Sequence, residues 1–352
     1  MKTTRIVVIV VALVGSFTAA AFQQSRTTQG NQATTDKVVA AANAFLQTLS
    51  PGQRAAGTFG FDAPEKHNGW SNLPSGIFRR KGVRLGDLNA RQRAAAMAVV
   101  QAALSKEGYQ KVTDIMNGDE VLKGEGGGRT GGRQGPAGRG VQFGQDEYYI
   151  AFLGTPSSTA PWLLQFGGHH LAINVTFVAA SSVMTPSLPA AQPARYVLNG
   201  QTVRPLGDEN DKGFALINAL DAKQRGDAIL KYEVRDLVLG PGEDGRTIMP
   251  EGLRVSAMTS RQQEMLLDLA HEWVGILNDA AATAKMAEIK ANLPQTWFAW
   301  SGPTTNGSPS YYRIQGPTVL IEWAPQQGDV MHIHTIYRDP TNDYGAKFIA
   351  AR

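Results

Sequence analysis

The chain has 352 residues, 42% of them hydrophobic and 18% charged, a globular composition with room for about two domains at roughly 150 residues each. It contains no cysteine, which excludes thiolate-bound zinc, iron–sulfur clusters, blue-copper sites, Cys-attached haem, disulfides and cysteine nucleophiles. The formal charge of +4 is not a binding patch, because Lys2 and Arg5 supply +2 and the segment Leu122–Val141 a further +3, leaving the rest near −1. A duplex-binding protein gathers its cations on a folded face, so nucleic acid is not an expected partner.

Residues 1–21, MKTTRIVVIVVALVGSFTAAA, set Lys2 and Arg5 before an apolar run from Ile6 to Val14 and an Ala-x-Ala step at Ala19–Ala21. This is the pattern of a secretory signal peptide, too short in its apolar core to span a bilayer, and it predicts an exported protein, secreted or periplasmic. No later segment approaches eighteen unbroken apolar residues, so no integral membrane segment is expected after cleavage.

Four stretches begin alike: Ser50 before Gln53, Asn89 before Gln92, Asp221 before Gln224 and Thr259 before Gln262. A capping residue three positions ahead of Gln marks a helix start. Gly82, Arg84, Leu88, Arg91 and Gln92 correspond at an offset of 170 to Gly252, Arg254, Met258, Arg261 and Gln262, while Tyr148-Tyr149 and His169 match Tyr311-Tyr312 and His332 at an offset of 163. The pattern predicts two divergent copies of a helix-helix-strands unit with pseudo-twofold symmetry, residues 22–200 and 201–352, in an α+β fold. Residues 122–141 are glycine-rich and nearly without apolar content, a surface insertion into the first unit. The Gly126-x-Gly128-x-x-Gly131 match inside it opens no amphipathic helix, so it does not signal a dinucleotide site. Strands are expected over Tyr148–Leu153, Trp162–Phe166, Leu171–Val178, Tyr311–Ile314, Val319–Trp323 and Val330–Tyr337, half-buried and bounded by Gly, Pro or Asn.

Only six histidines occur, and four fall in two short runs, His169-His170 and His332-Ile333-His334. Side chains two apart on a strand share a face, so His332 and His334 form a pincer for one metal ion. His169 and His170 point to opposite faces if they too lie on a strand, so one of them completes the set. His170 shares parity with the small or polar Ala172, Asn174 and Thr176, whereas the repeat aligns His169 with His332. Three imidazoles with an open position suit one zinc, copper or iron ion, able to activate water or to bind oxygen. Glu322, Asp339 and Tyr344 are near in sequence and are candidates for general base or outer shell, with Tyr344 and Arg313 facing substrate. His271-Glu272 fails as a metalloprotease pair because its fifth position is Gly275, and it belongs on the solvated flank of a helix; His67 sits in a turn-rich stretch. The expected function is that of an exported metalloenzyme, hydrolytic or oxidative, acting on a small-molecule or polymer substrate. The competing class is a non-catalytic module of the cell envelope that presents Tyr148, Tyr149, Tyr311, Tyr312 and Trp323 to a ligand.

The segments Trp70–Pro74, Gly168–Leu171, Tyr311–Ile314 with Gly316-Pro317, Ile321–Trp323, and His332–Thr335 running into Arg338–Gly345 resemble an uncharacterised bacterial family, DUF3500. The likeness spans most of the chain after the leader and implies an exported protein. It brings no established activity and no catalytic roles, and the glycine-rich tract has no counterpart in it.

Overall fold

The computed structural model describes residues 31–124 and 140–351, so the expected leader, residues 1–21, and most of the glycine-rich tract lie outside the described residues. A mixed α+β architecture is observed, built on two principal sheets. The first contains β1 (Thr58–Phe59), β2 (Val83–Arg84), β3 (Tyr149–Leu153), β4 (Trp162–Gly168), β5 (Leu171–Val178), β6 (Ser181–Val183) and β7 (Leu188–Pro189). A small hairpin, β8 (Tyr196–Leu198) and β9 (Gln201–Val203), precedes the second sheet, which runs in sequence order through β10 (Leu253–Arg254), β11 (Trp297–Ser301), β12 (Tyr311–Gly316), β13 (Val319–Pro325) and β14 (Ile333–Arg338).

All four capping boxes form, with Ser50, Asn89, Asp221 and Thr259 each accepting from the backbone N–H three residues on. Each satisfies donors that a helix start leaves unpaired. The helix Ser260–Val274 buries Leu266, Leu269, Ala270 and Trp273, one stripe at helical spacing, and leaves His271 exposed. Trp273 reaches past this stripe to donate its indole N–H to Thr335 of β14 at 2.9 Å.

The strands are buried on both faces rather than on one, as the unbroken burial of β5, β13 and β14 shows. Helices cover one face. The other is roofed by irregular chain, with Trp70 and Leu239 packed against Ala172, Leu188, Ala190, Leu320 and Ile336. Alternation cannot reveal this, since the second cover comes from segments with no period of their own. The same packing buries most of the aromatic platform expected of a binding module: Tyr148, Tyr311, Tyr312 and Trp323 are core residues, and Tyr149 is partly buried.

The repeat assignment is corrected in one respect. Tyr148-Tyr149 lies at the start of β3 and Tyr311-Tyr312 opens β12, strands that occupy different places in their sheets, so the 163-residue offset is not a structural equivalence. At the 170-residue offset the local elements correspond. Gly82 and Gly252, both at positive φ, each precede a two-residue strand, a 3-10 turn and a capped helix.

The two sheets are tied together by residues 187–191. Ser187 exchanges backbone hydrogen bonds with Tyr337 and Ala191 with Ile333, while on the other side Leu188 and Pro189 pair with Ala172 and Leu171 of β5. One short segment therefore lies between β5 and β14, and the turn that starts β5 is carried to the beginning of β14.

Candidate metal centre

His332 lies in a bend just before β14, fixed by its N–H to Asp329 O at 3.0 Å and by the Gln326 N–H to its own carbonyl at 2.8 Å. His334 follows inside the strand, and the two rings stand 4.9 Å apart at 86°. His169 and His170 occupy the tight turn between β4 and β5, so strand parity never applied to them. The chain turns here with His170 at a φ of 60°, a left-handed conformation that costs a non-glycine residue about 1–2 kcal/mol. Two backbone hydrogen bonds hold it there, from its N–H to Asn72 O at 3.1 Å and from the Ala190 N–H to its carbonyl at 2.8 Å. The preceding Gly168 is required, because a Cβ there would lie 2.7 Å from the ring of Tyr148.

His170, His332 and His334 each offer a ring nitrogen within 4.8 Å of the others, a group able to hold a metal ion. Nε2 of His170 and Nε2 of His332 are 2.9 Å apart. Two imidazoles on one tetrahedral ion at about 2.0–2.1 Å would sit roughly 3.3 Å apart, so a few tenths of an ångström of opening admits it. His334 Nδ1 lies 2.8 Å from Asp236 Oδ1, and since a carboxylate only accepts, Nδ1 carries the proton and Nε2 keeps its lone pair. Burial works against the charge of Asp236, yet the His334 bond and the Leu237 N–H together hold its carboxyl below the usual range. Burial also drives His332 down to about 3 and His170 well below the ordinary imidazole range, reinforced by the neighbouring histidines. Near neutral pH His170 and His332 are therefore uncharged, and each keeps a ring nitrogen with a lone pair. His170 Nδ1 is buried with no hydrogen-bond partner among the described residues.

His169 is placed differently. Its ring stacks on His170 at 3.7 Å, but its Nδ1 is taken by the buried Asp119 at 2.7 Å, and it is not one of the three converging donors. The repeat alignment favoured His169; the turn makes His170 the one that meets the pincer.

The acid–base candidates are each engaged elsewhere. Glu322 shares the sheet face of His334 but is fully buried, accepting from Val238 N–H at 3.0 Å, Leu239 N–H at 2.8 Å and Tyr311 OH at 2.6 Å. It anchors the long loop that carries Asp236. Asp339 lies just past β14, roughly 16 Å along the chain from His334 at about 3.3 Å per residue, and binds Lys285 at 2.5 Å and Thr341 at 2.8 Å. Tyr344 sits at that same far end, its OH donating to Asp244 at 2.9 Å and accepting from Trp70 Nε1 at 2.9 Å, with His67 also on Asp244 at 2.8 Å. Arg313, two strands from β14, reaches Glu251 at 3.1 Å.

Sequence reasoning missed Asp236, Asn72, Asp119 and Arg80. Asn72 Nδ2 is 3.2 Å from His334 Nε2, and the buried Arg80 donates to Ser71 O, Leu73 O and Gly168 O at 2.6, 2.5 and 2.6 Å. Arg80 thus clips the Asn72 stretch to the histidine turn. The available signal was the long stretch of residues 229–252 without helix or strand, since irregular loops of such length in a compact fold commonly serve a site.

Among the described residues, no helix is long and apolar enough to cross a membrane. No curated protein and no solved structure matches the chain. The family described as protein of unknown function (DUF3500) matches residues 31–346, a span that takes in every residue of the histidine cluster, and the chain belongs to that family.

Proposed function

We propose that this is an exported metalloenzyme whose chemistry runs at one transition-metal ion held by His170, His332 and His334. The observation that carries the reading is the convergence of three imidazole donors, one of them oriented by a carboxylate. An all-nitrogen set suits zinc, copper or iron and disfavours magnesium and calcium, which prefer oxygen. His332 is only partly buried and the Asp236 side chain is 36% exposed, so solvent approaches on that side and an exchangeable coordination position is available. When bound, such an ion supplies either an activated water for hydrolysis or a site for oxidation. Asp236 binds His334 through Oδ1, and its Oδ2 is the carboxylate oxygen within reach for a proton.

Metal analysis of the purified, untagged protein tests the reading. About one equivalent is expected, and it should be lost in the His332→Ala, His334→Ala double variant while the far-UV spectrum stays native. No bound metal after reconstitution with zinc, copper and iron would refute it and favour a non-catalytic module. Export is tested by N-terminal sequencing of the mature protein, with cleavage expected near Ala21.

We also infer that the chain descends from two copies of one unit. Supporting this, Gln92 bonds Gln53 at 3.1 Å and Gln224 bonds Gln262 at 3.0 Å, and Leu85 N–H reaches Tyr148 O as Val255 N–H reaches Thr296 O, both at 2.8 Å. Equivalent strands open at Tyr149 and Trp297, Leu171 and Val319, an offset of 148 rather than 170. The shortfall of 22 residues falls between the second helix and the first long strand, where the glycine-rich tract lies. On this alignment His169-His170 corresponds to Pro317-Thr318, so the metal set belongs to neither copy alone.

A further inference from the structure

Asn72 touches two of the three histidines at once, its carbonyl accepting from the His170 N–H at 3.1 Å and its Nδ2 standing 3.2 Å from His334 Nε2. It cannot drift from them. Arg80, 7% exposed, binds the carbonyls on either side of Asn72 and that of Gly168. Because Asp236 fixes the His334 proton on Nδ1, the Asn72 N–H donates into the Nε2 lone pair, the same lone pair a metal ion would take.

A cation arriving on Nε2 displaces that N–H and then faces an amino group whose positive end points toward it. The terminal amide of Asn is broadly two-fold about its last torsion, so a half-turn replaces the amino group with the carbonyl oxygen in the same place. Resting on the reading of His170, His332 and His334 as the metal centre, we infer that Asn72 is the fourth protein ligand, contributing Oδ1 to give three nitrogens and one oxygen. The oxygen is neutral, as are the imidazoles, so the bound centre keeps the full charge of its ion. With four protein ligands the exchangeable ligand takes a fifth position, where an anion such as hydroxide or a carboxylate is favoured, and Asn72 is the residue that sets this geometry.

The test is titration of metal-free protein with Co2+, read by visible absorption, on wild type, Asn72→Ala and Asn72→Asp. Wild type should take up one equivalent and develop ligand-field bands. Asn72→Ala should shift those bands and weaken binding about tenfold or more. Asn72→Asp, which keeps the side-chain shape and puts an anionic oxygen in the same place, should bind at least as tightly as wild type with shifted bands. Identical bands and affinity in Asn72→Ala overturn the Asn72 assignment and leave the three-histidine centre standing, whereas wild type that binds no Co2+ overturns both. Should Asn72→Ala not fold, Asn72→Asp decides: binding weaker than wild type overturns the assignment.

Discussion

Glu322→Gln separates an anchoring role for this carboxylate from a catalytic one. The side chain is fully buried and its two oxygens accept three hydrogen bonds, from Val238 N–H, Leu239 N–H and Tyr311 OH. Glutamine retains one acceptor and turns an amino group toward one of these donors. One charge-assisted hydrogen bond is lost, at about 1.5–3 kcal/mol, and a buried N–H is left unmade, at about 1–3 kcal/mol, so the cost is about 2.5–6 kcal/mol. At roughly 2 °C per kcal/mol for a chain of this size, Tm should fall by about 5–12 °C. Leu239 is three residues from Asp236, so loosening the loop also releases the carboxylate that orients His334, and metal affinity should weaken about tenfold. Differential scanning fluorimetry with a Co2+ titration reads both quantities. A variant with unchanged Tm and metal affinity but abolished turnover would refute the anchoring argument and return Glu322 to the role of general base.

His169→Gln should retain one equivalent of metal and lose about 2 kcal/mol of stability, whereas His170→Ala should lose the metal; the reverse pattern by metal analysis would reassign the ligand. Tyr344→Phe, which removes the link between Asp244 and Trp70, should lower stability by about 1–3 kcal/mol in chemical denaturation and leave metal affinity unchanged, because the pair lies at the opposite end of β14. The metal-free protein should weaken in acid. Burial holds His169, His170 and His332 below the unfolded value of about 6.5, so the unfolded chain binds protons first. Their contribution is complete above about pH 6.5 and is lost as pH falls toward about 3 for His332, at up to about 1.4 kcal/mol per pH unit for each group. Urea titrations between pH 7.5 and 5 measure that slope, and a flat profile would contradict it.

Much of the fold was legible because its signals are local. Five of the six expected strands start within a residue of their observed places, and every capping box formed, since both depend on residues within a few positions of one another. The sixth, expected from Val330, begins at Ile333, because the chain bends at His332 before it can pair with β13. Trp297–Ser301 was missed as a strand although it runs Trp-Phe-Ala-Trp-Ser: it is short, follows a helix closely, and is buried throughout its last four residues, so no alternation marks it.

The site was legible to the extent that histidines are rare, and no further. Which of His169 and His170 converges on the pincer depended on a turn rather than on strand parity, and the side chain barred at Gly168 just before that turn is barred by the ring of Tyr148, distant in sequence. Asp236 and Asn72 stand 98 and 262 residues from His334 in the chain, with no periodic or motif relation to it. What brings them in is a pair of buried ionic anchors, Glu322 on the backbone of Val238 and Leu239, and Arg80 on the carbonyls beside Asn72. A buried charge is tolerated only where backbone groups satisfy it, so such residues report on loop placement that no local pattern encodes. Glu322 was noticed for its place beside the histidine strand, and its carboxylate accepts three hydrogen bonds in the core, which fits it to hold the Val238–Leu239 chain.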